Sequence, residues 1–120
     1  MARTMFQTNV KYDPRIDLKT DFVVVHQHTD PSLIQSWVKK GNKVYKMFFI
    51  GSDAGNIYTE GKYDGKTHYD EIETDAAGKY ILCGDRPYML PTENWLKYLK
   101  KTVKKSITAG AVGICPEEPL

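Results

Sequence analysis

The residues best suited to chemistry sit in three short polar tips, each directly after an apolar run. VHQHTD places His26 and His28 two residues apart. On an extended strand that spacing puts both imidazoles on one face, where the pair can chelate a metal, contact a substrate or hydrogen-bond at a strand end. IGSDAG sets Asp53 in a glycine-flanked turn, where its carboxylate can accept from a substrate hydroxyl or from its own backbone. CPEEP carries Glu117 and Glu118 between Pro116 and Pro119, which stiffen the pair. Adjacent carboxylates point different ways, so at most one of them faces a given substrate. A carboxylic acid in such a tip can protonate a leaving oxygen when burial or a second carboxylate raises its pKa. Two histidines supply only two ligands, whereas a catalytic zinc takes three from the protein. No metal and no other cofactor is therefore expected.

Three apolar runs must position these tips. FVVVHQH, residues 22–28, is β-branched and nearly continuous, the pattern of a strand buried on both faces of a parallel sheet. Thr29 or Asp30 then offers a helix N-cap, and Pro31 suits the first helical position. Leu33, Ile34, Trp37 and Val38 form one apolar side, and Gly41 can take the left-handed conformation that ends the helix. KVYKMFFIG, residues 43–51, reads as the second strand. The last unit opens on Thr92 as N-cap with Glu93 in the first turn, and Trp95, Leu96, Leu99, Val103 and Ile107 recur at helical spacing. Lys97, Lys100, Lys101, Lys104 and Lys105 lie largely off that stripe and form a solvated face. Gly110 stops the helix, and AVGIC, residues 111–115, is the third strand. Between the second strand and this helix, residues 51–91 form a turn-rich excursion with no helical period. Tyr58, Tyr63, His68, Tyr69, Tyr80 and Tyr88 argue that it is ordered, and KYILC, residues 79–83, reads as a short strand within it. The alternation predicts an α/β fold of parallel βαβ units with right-handed crossovers. All three tips would then open onto the carboxyl edge of the sheet, where such folds collect their functional groups.

Composition narrows the partners. The chain has 120 residues, 41% apolar and 27% charged, an ordinary globular balance. Its net charge is +2 with the basic residues dispersed, so no nucleic-acid partner is indicated. No apolar run approaches the roughly 20 residues that span a bilayer, and MARTMFQTNV lacks the apolar core of a secretory signal. Cys83 and Cys115 form no CxxC pair and read as reduced, packed thiols, which together with the missing signal predicts a cytoplasmic location.

YMLPTENWLKYLKKTVKKSITAGAVGICPEEP, residues 88–119, resembles a stretch of bacterial (β/α)8-barrel glycoside hydrolases. There a helix runs into a strand of the form GA-x-G/A-I that ends in Glu-Glu-Pro. VVVHQHTDPSLIQSWVKKGNKVYKMFFIG, residues 23–51, resembles the first βαβ unit of the same proteins. The resemblance implies a carbohydrate substrate and puts Glu117 or Glu118 among the active-site carboxylates. In the large clan of retaining enzymes the acid/base glutamate precedes a proline, in an Asn-Glu-Pro, after the fourth strand. Here Glu118 precedes Pro119, Glu117 stands in place of the Asn, and the strand counts as the third.

The resulting expectation is one incomplete domain over residues 1–120. It would be the amino-terminal part of a (β/α)8 (TIM) barrel, a fold of ~250 residues when complete. It would hold the first three βα units, with residues 51–91 as a long loop or hairpin excursion after strand two. The function expected is that of a fragment of a hydrolase cleaving glycosidic bonds by carboxylate acid/base chemistry. Glu118 and Glu117 would be catalytic, and His26, His28 and Asp53 would bind substrate. The fragment alone would be inactive, and its uncovered barrel edges would favour self-association. Two alternatives compete: a metal-dependent amidohydrolase-like barrel using the HxH pair, and a non-catalytic sugar-binding or interaction module.

Overall fold

The computed structural model describes residues 3–26 and 30–117, Glu117 through its backbone alone. The elements in chain order are β1 (Met5–Thr8), β2 (Phe22–Val25), α1 (Pro31–Val38), β3 (Val44–Phe49), β4 (Leu82–Cys83), β5 (Arg86–Pro87), α2 (Glu93–Thr108) and β6 (Gly113–Glu117). β1, β2, β3 and β6 form one sheet in that order, with parallel strands. β4 and β5 pair antiparallel in a short hairpin. The chain divides into two compact units, one of residues 1–48 and 102–117 and one of residues 49–101.

The first unit follows from the expected βαβ signals. β2 pairs with β3 in parallel, Val23 opposite Val44 and Val25 opposite Lys46. Asp30 is the N-cap of α1, its carboxylate accepting from the Ser32 amide at 2.8 Å, and Pro31 takes the first helical position. Leu33, Ile34 and Trp37 of α1 then pack with Val23, Val25, Val44, Ala109 and Ala111 in one buried cluster. Fully burying each of the large side chains contributes about 1.5–3 kcal/mol. The indole nitrogen of Trp37 donates to the Val10 carbonyl at 3.0 Å, so its polar handle is satisfied too. At the end of α2, Gly110 has φ +112, and a Cβ there would meet Val38 Cγ2 at 3.1 Å. Only glycine accommodates that conformation so close to α1.

Among the described residues the sheet has four strands where the sequence reading expects three. The extra strand, β1, is MFQT, in which only Thr8 is buried, so no apolar run announces it. It is held instead by parallel pairing, Phe6 opposite Val23, and by the Phe6 ring 5.9 Å from Trp37. In consequence β6 is the fourth strand of the parallel sheet in chain order, and the excursion follows the third.

The second unit is the ordered excursion. Isolated antiparallel bridges join Ser52 to Tyr88, Ile72 to Met89 and Thr74 to Tyr80. The strand expected at 79–83 is β4, confined to Leu82–Cys83 and paired with β5. An aromatic core fills the unit, with Tyr58 5.3 Å from Trp95 and 5.0 Å from Tyr98, ring centre to ring centre. Thr92 caps α2 as expected, its hydroxyl accepting from the Trp95 amide at 3.1 Å. Among the described residues no helix is long and apolar enough to cross a membrane.

Candidate functional site

The carboxyl edge of the parallel sheet begins with His26, the residue after β2. Its amide donates to the Thr8 carbonyl of β1 at 3.2 Å, and its side chain is half-buried. Its own carbonyl accepts from the Lys46 ammonium of β3 at 2.7 Å. The first bond continues the main-chain pairing and the second is charge-assisted, so the backbone at His26 is clamped from both neighbouring strands.

Lys46 is the residue that sequence reasoning missed. It stands within KVYKMFFIG and is only 2% exposed. Its register partner Val25 and its strand neighbour Val44 belong to the cluster packed against α1, so alternation puts Lys46 on that helix-covered face. The ammonium therefore supports the connection that leaves β2 from beneath. Burial pushes its pKa down to about 8. A lysine inside an apolar strand was the available signal.

β6 lies beside β3 in the sheet and ends at Glu117. The backbone thus brings the ends of β2 and β6 to one edge with β3 between them. The side chain of Glu117, with Glu118, Pro119, His28 and Thr29, lies outside the described residues.

Asp53 belongs to the second unit and is fully buried. One carboxylate oxygen accepts from the Tyr58 amide at 3.3 Å, and the other from the Thr59 amide at 2.8 Å and the Thr59 hydroxyl at 2.9 Å. Of the two readings that IGSDAG left open, the geometry realises the second, with Asp53 ordering its own loop.

A further cluster in the excursion was visible in sequence only as scattered aromatic and histidine positions. His68 lies between two carboxylates, Nδ1 2.7 Å from Glu71 and Nε2 2.8 Å from Asp64, and stacks on Tyr58 with ring centres 4.1 Å apart. The Tyr58 hydroxyl donates to Glu71 at 2.7 Å, and the Thr92 hydroxyl donates to the other Glu71 oxygen. Burial alone would push His68 down, but its bonds to Asp64 and Glu71 outweigh that and hold it above the ordinary 6.5. Burial also pushes Glu71 up, and the donors Thr92, Tyr58 and His68 more than reverse it. Every polar atom here answers another, and the cluster joins α2's cap to the loop before it. Among the described residues no three His, Cys, Asp or Glu side chains are grouped to hold a metal.

No protein-family model and no curated protein matches this chain. Two solved structures share its fold. One is Aspergillus fumigatus Ega3 in complex with galactosamine, 16% identical, TM-score 0.63, over 95% of this chain and 42% of that one. The other is the glycoside hydrolase domain of PelA from Pseudomonas aeruginosa, 19% identical, TM-score 0.58, over 95% of this chain and 44% of that one. The fold is glycoside hydrolase-like. The chain spans less than half the length of either structure, and its parallel sheet is consistent with part of a barrel.

Proposed function

We propose that this chain is the amino-terminal part of a carbohydrate-active hydrolase that cleaves glycosidic bonds by carboxylate acid/base chemistry. One observation carries the reading. In a fold shared with a glycoside hydrolase domain, the fourth parallel strand ends at Glu117, and Glu118 and Pro119 follow it in the sequence. Glu118 is the general acid: it gives its proton to the glycosidic oxygen as the bond to the sugar carbon breaks. Glu117 is its neighbour in the sequence. The second carboxylate, as nucleophile or as base toward water, comes from a later strand beyond residue 120. His26 and His28 contact the sugar from the end of β2, and Lys46 holds the His26 backbone. Because Ega3 was solved with galactosamine, oligosaccharides of amino sugars are the first substrates to try.

The test compares Glu118→Gln with Glu117→Gln in the protein encoded by the full reading frame. Gln keeps size and hydrogen bonding and removes the transferable proton. General acid catalysis contributes ~10²–10⁴-fold, so Glu118→Gln should lose about that much on an unactivated linkage. The loss should be smaller on an aryl glycoside, whose leaving group needs no proton. Equal, small effects of both variants on both substrates would leave Glu-Glu-Pro as a structural corner.

A further inference from the structure

The second unit carries a surface hollow that nothing above uses. It measures about 150 Å³, and its lining includes Asn56, Glu60, Tyr69, Tyr80, Leu82 and Asp85. We propose that this hollow is a glycan-binding site of its own, taking a sugar residue that bears a free amine. The inference goes beyond the hydrolase reading and does not depend on the roles of Glu117 and Glu118.

The aromatic residues make the first argument. Tyr58, Trp95 and Tyr98 of this unit are buried, and Tyr63 packs on Tyr58 and Tyr98. Tyr69 and Tyr80 are instead 44% and 51% exposed, and both line the hollow. Tyrosine offers an apolar face together with a hydroxyl. The C–H face of a pyranose packs on such a ring while its hydroxyls need polar groups at the rim.

Those polar groups are present and uncommitted. Elsewhere in the unit Asp53, Asp64, Glu71 and Asp75 spend their oxygens on the protein's own donors. Among the described residues, the side chains of Asn56, Asp85, Tyr69 and Tyr80 make no hydrogen bond. Asn56 is fixed at the rim by a left-handed backbone, φ +54, which asparagine tolerates better than most residues. A concave surface with apolar walls and a few convergent polar groups is the form that small-ligand sites take.

Charge selects the class of sugar. Among the described residues, two carboxylates, Glu60 and Asp85, line the hollow and no lysine or arginine does. Glu60 meets Lys62 at 3.3 Å in an exposed pair, a contact weak enough to exchange. Arg86, next to Asp85 in sequence, lays its guanidinium over the Phe49 ring at 4.0 Å and donates to the Cys83 sulfur at 3.3 Å. The hollow is therefore acidic. A protonated sugar amine gains a charge-assisted bond to Asp85, a neutral sugar does not, and a uronate is repelled.

The experiment measures binding of three probes by titration calorimetry and by amide chemical shifts: a β-1,4-linked glucosamine oligomer, its fully N-acetylated counterpart, and an oligogalacturonate. The amine oligomer should bind, the acetylated one about tenfold or more weakly, and the uronate not at all. Asp85→Asn should weaken the amine oligomer by about tenfold, the scale of a hydrogen bond to a charged group. Tyr80→Ala should abolish the shifts of the amides around the hollow, and Tyr80→Phe should restore most of them. Thermal melts of each variant confirm that the fold survives. No binding of the amine oligomer, equal binding of all three probes, or indifference to both Asp85→Asn and Tyr80→Ala would overturn the proposal. Shifts confined to the amides at the end of β2, with none around the hollow, would overturn it as well, by moving the bound sugar to the strand ends. Binding with these signatures but no hydrolysis by the full-length protein would sink the hydrolase reading and leave this one standing.

Discussion

Lys46→Met is the perturbation whose outcome the structure fixes most closely. In the folded chain the Lys46 ammonium titrates at about 8, against 10.5 for an unperturbed lysine, and burial is the cause. At about 1.4 kcal/mol per tenfold, the gap means that keeping this charge costs the folded state about 3 kcal/mol. The folded value is the lower one, so between pH 8 and 10.5 the unfolded chain binds more protons at this site. Stability therefore rises with pH across that window as the cost is relieved, and it is flat in this respect below it. Methionine has nearly the same length and no charge, so the variant lacks the rise. At neutral pH two effects of Lys46→Met oppose each other. The burial cost disappears, but the His26 carbonyl loses its 2.7 Å donor, a loss of about 1–3 kcal/mol. The neutral-pH difference is thus small, and the pH dependence is the decisive quantity. Urea titrations followed by circular dichroism, at intervals from pH 7 to 10.5, give the difference between wild type and variant, in which other titrating groups cancel. Wild type should gain about 3 kcal/mol on the variant across the window. Parallel stability curves would refute the reasoning, because they would mean that the ammonium is not desolvated.

Two further outcomes follow from the excursion. The His68 ring should titrate above 6.5, followed by its own proton resonances, and Asp64→Asn should lower the midpoint. Because the folded value is the raised one, the stability contributed by His68 is complete below 6.5 and lost as pH rises through that higher midpoint. A midpoint at or below 6.5 would contradict the pairing. Asp53→Ala should destabilise by about 3 kcal/mol or more in urea unfolding, since it strands two buried amides and a hydroxyl. Asp75→Ala, which removes acceptors for two exposed amides in a turn, should cost about 1 kcal/mol or less. Similar losses from the two would show that Asp53 does not organise its loop.

The parts of the fold legible in the sequence were those that local chemistry dictates. A long β-branched run, an Asp-Pro helix start and a glycine stop are set by neighbours in the chain, and β2, α1, β3 and α2 follow them. β1 was not legible because four residues with one buried side chain carry no periodicity; the strand exists because β2 offers it a partner. The excursion's bridges were hidden for the same reason, since Ser52 and Tyr88 meet only after 35 intervening positions have turned back. The burial of Lys46 depends on α1 covering one face of β3, which is tertiary information. For the candidate site, the sequence located the strand ends, but it could not separate the two roles of Asp53. Both begin from a carboxylate in a glycine-rich turn, and only the folded loop brings Thr59 to it.

The strand that was missed helps to position the candidate site. His26 donates to Thr8 of β1, and its carbonyl accepts from Lys46 of β3. Neither partner is a candidate for chemistry, yet together they fix where the tip after β2 begins. β1 also sets the count by which β6 becomes the fourth parallel strand, the position after which the resembling retaining enzymes carry their Glu-Pro acid. Among the described residues the strand count is therefore four and not the expected three, while Glu117 still stands in place of the asparagine of that clan. A glutamate there cannot donate to a sugar hydroxyl when ionised, whereas an asparagine amide can. Under the hydrolase reading proposed above, we assign that hydrogen bond to the half-buried His26 on the same edge.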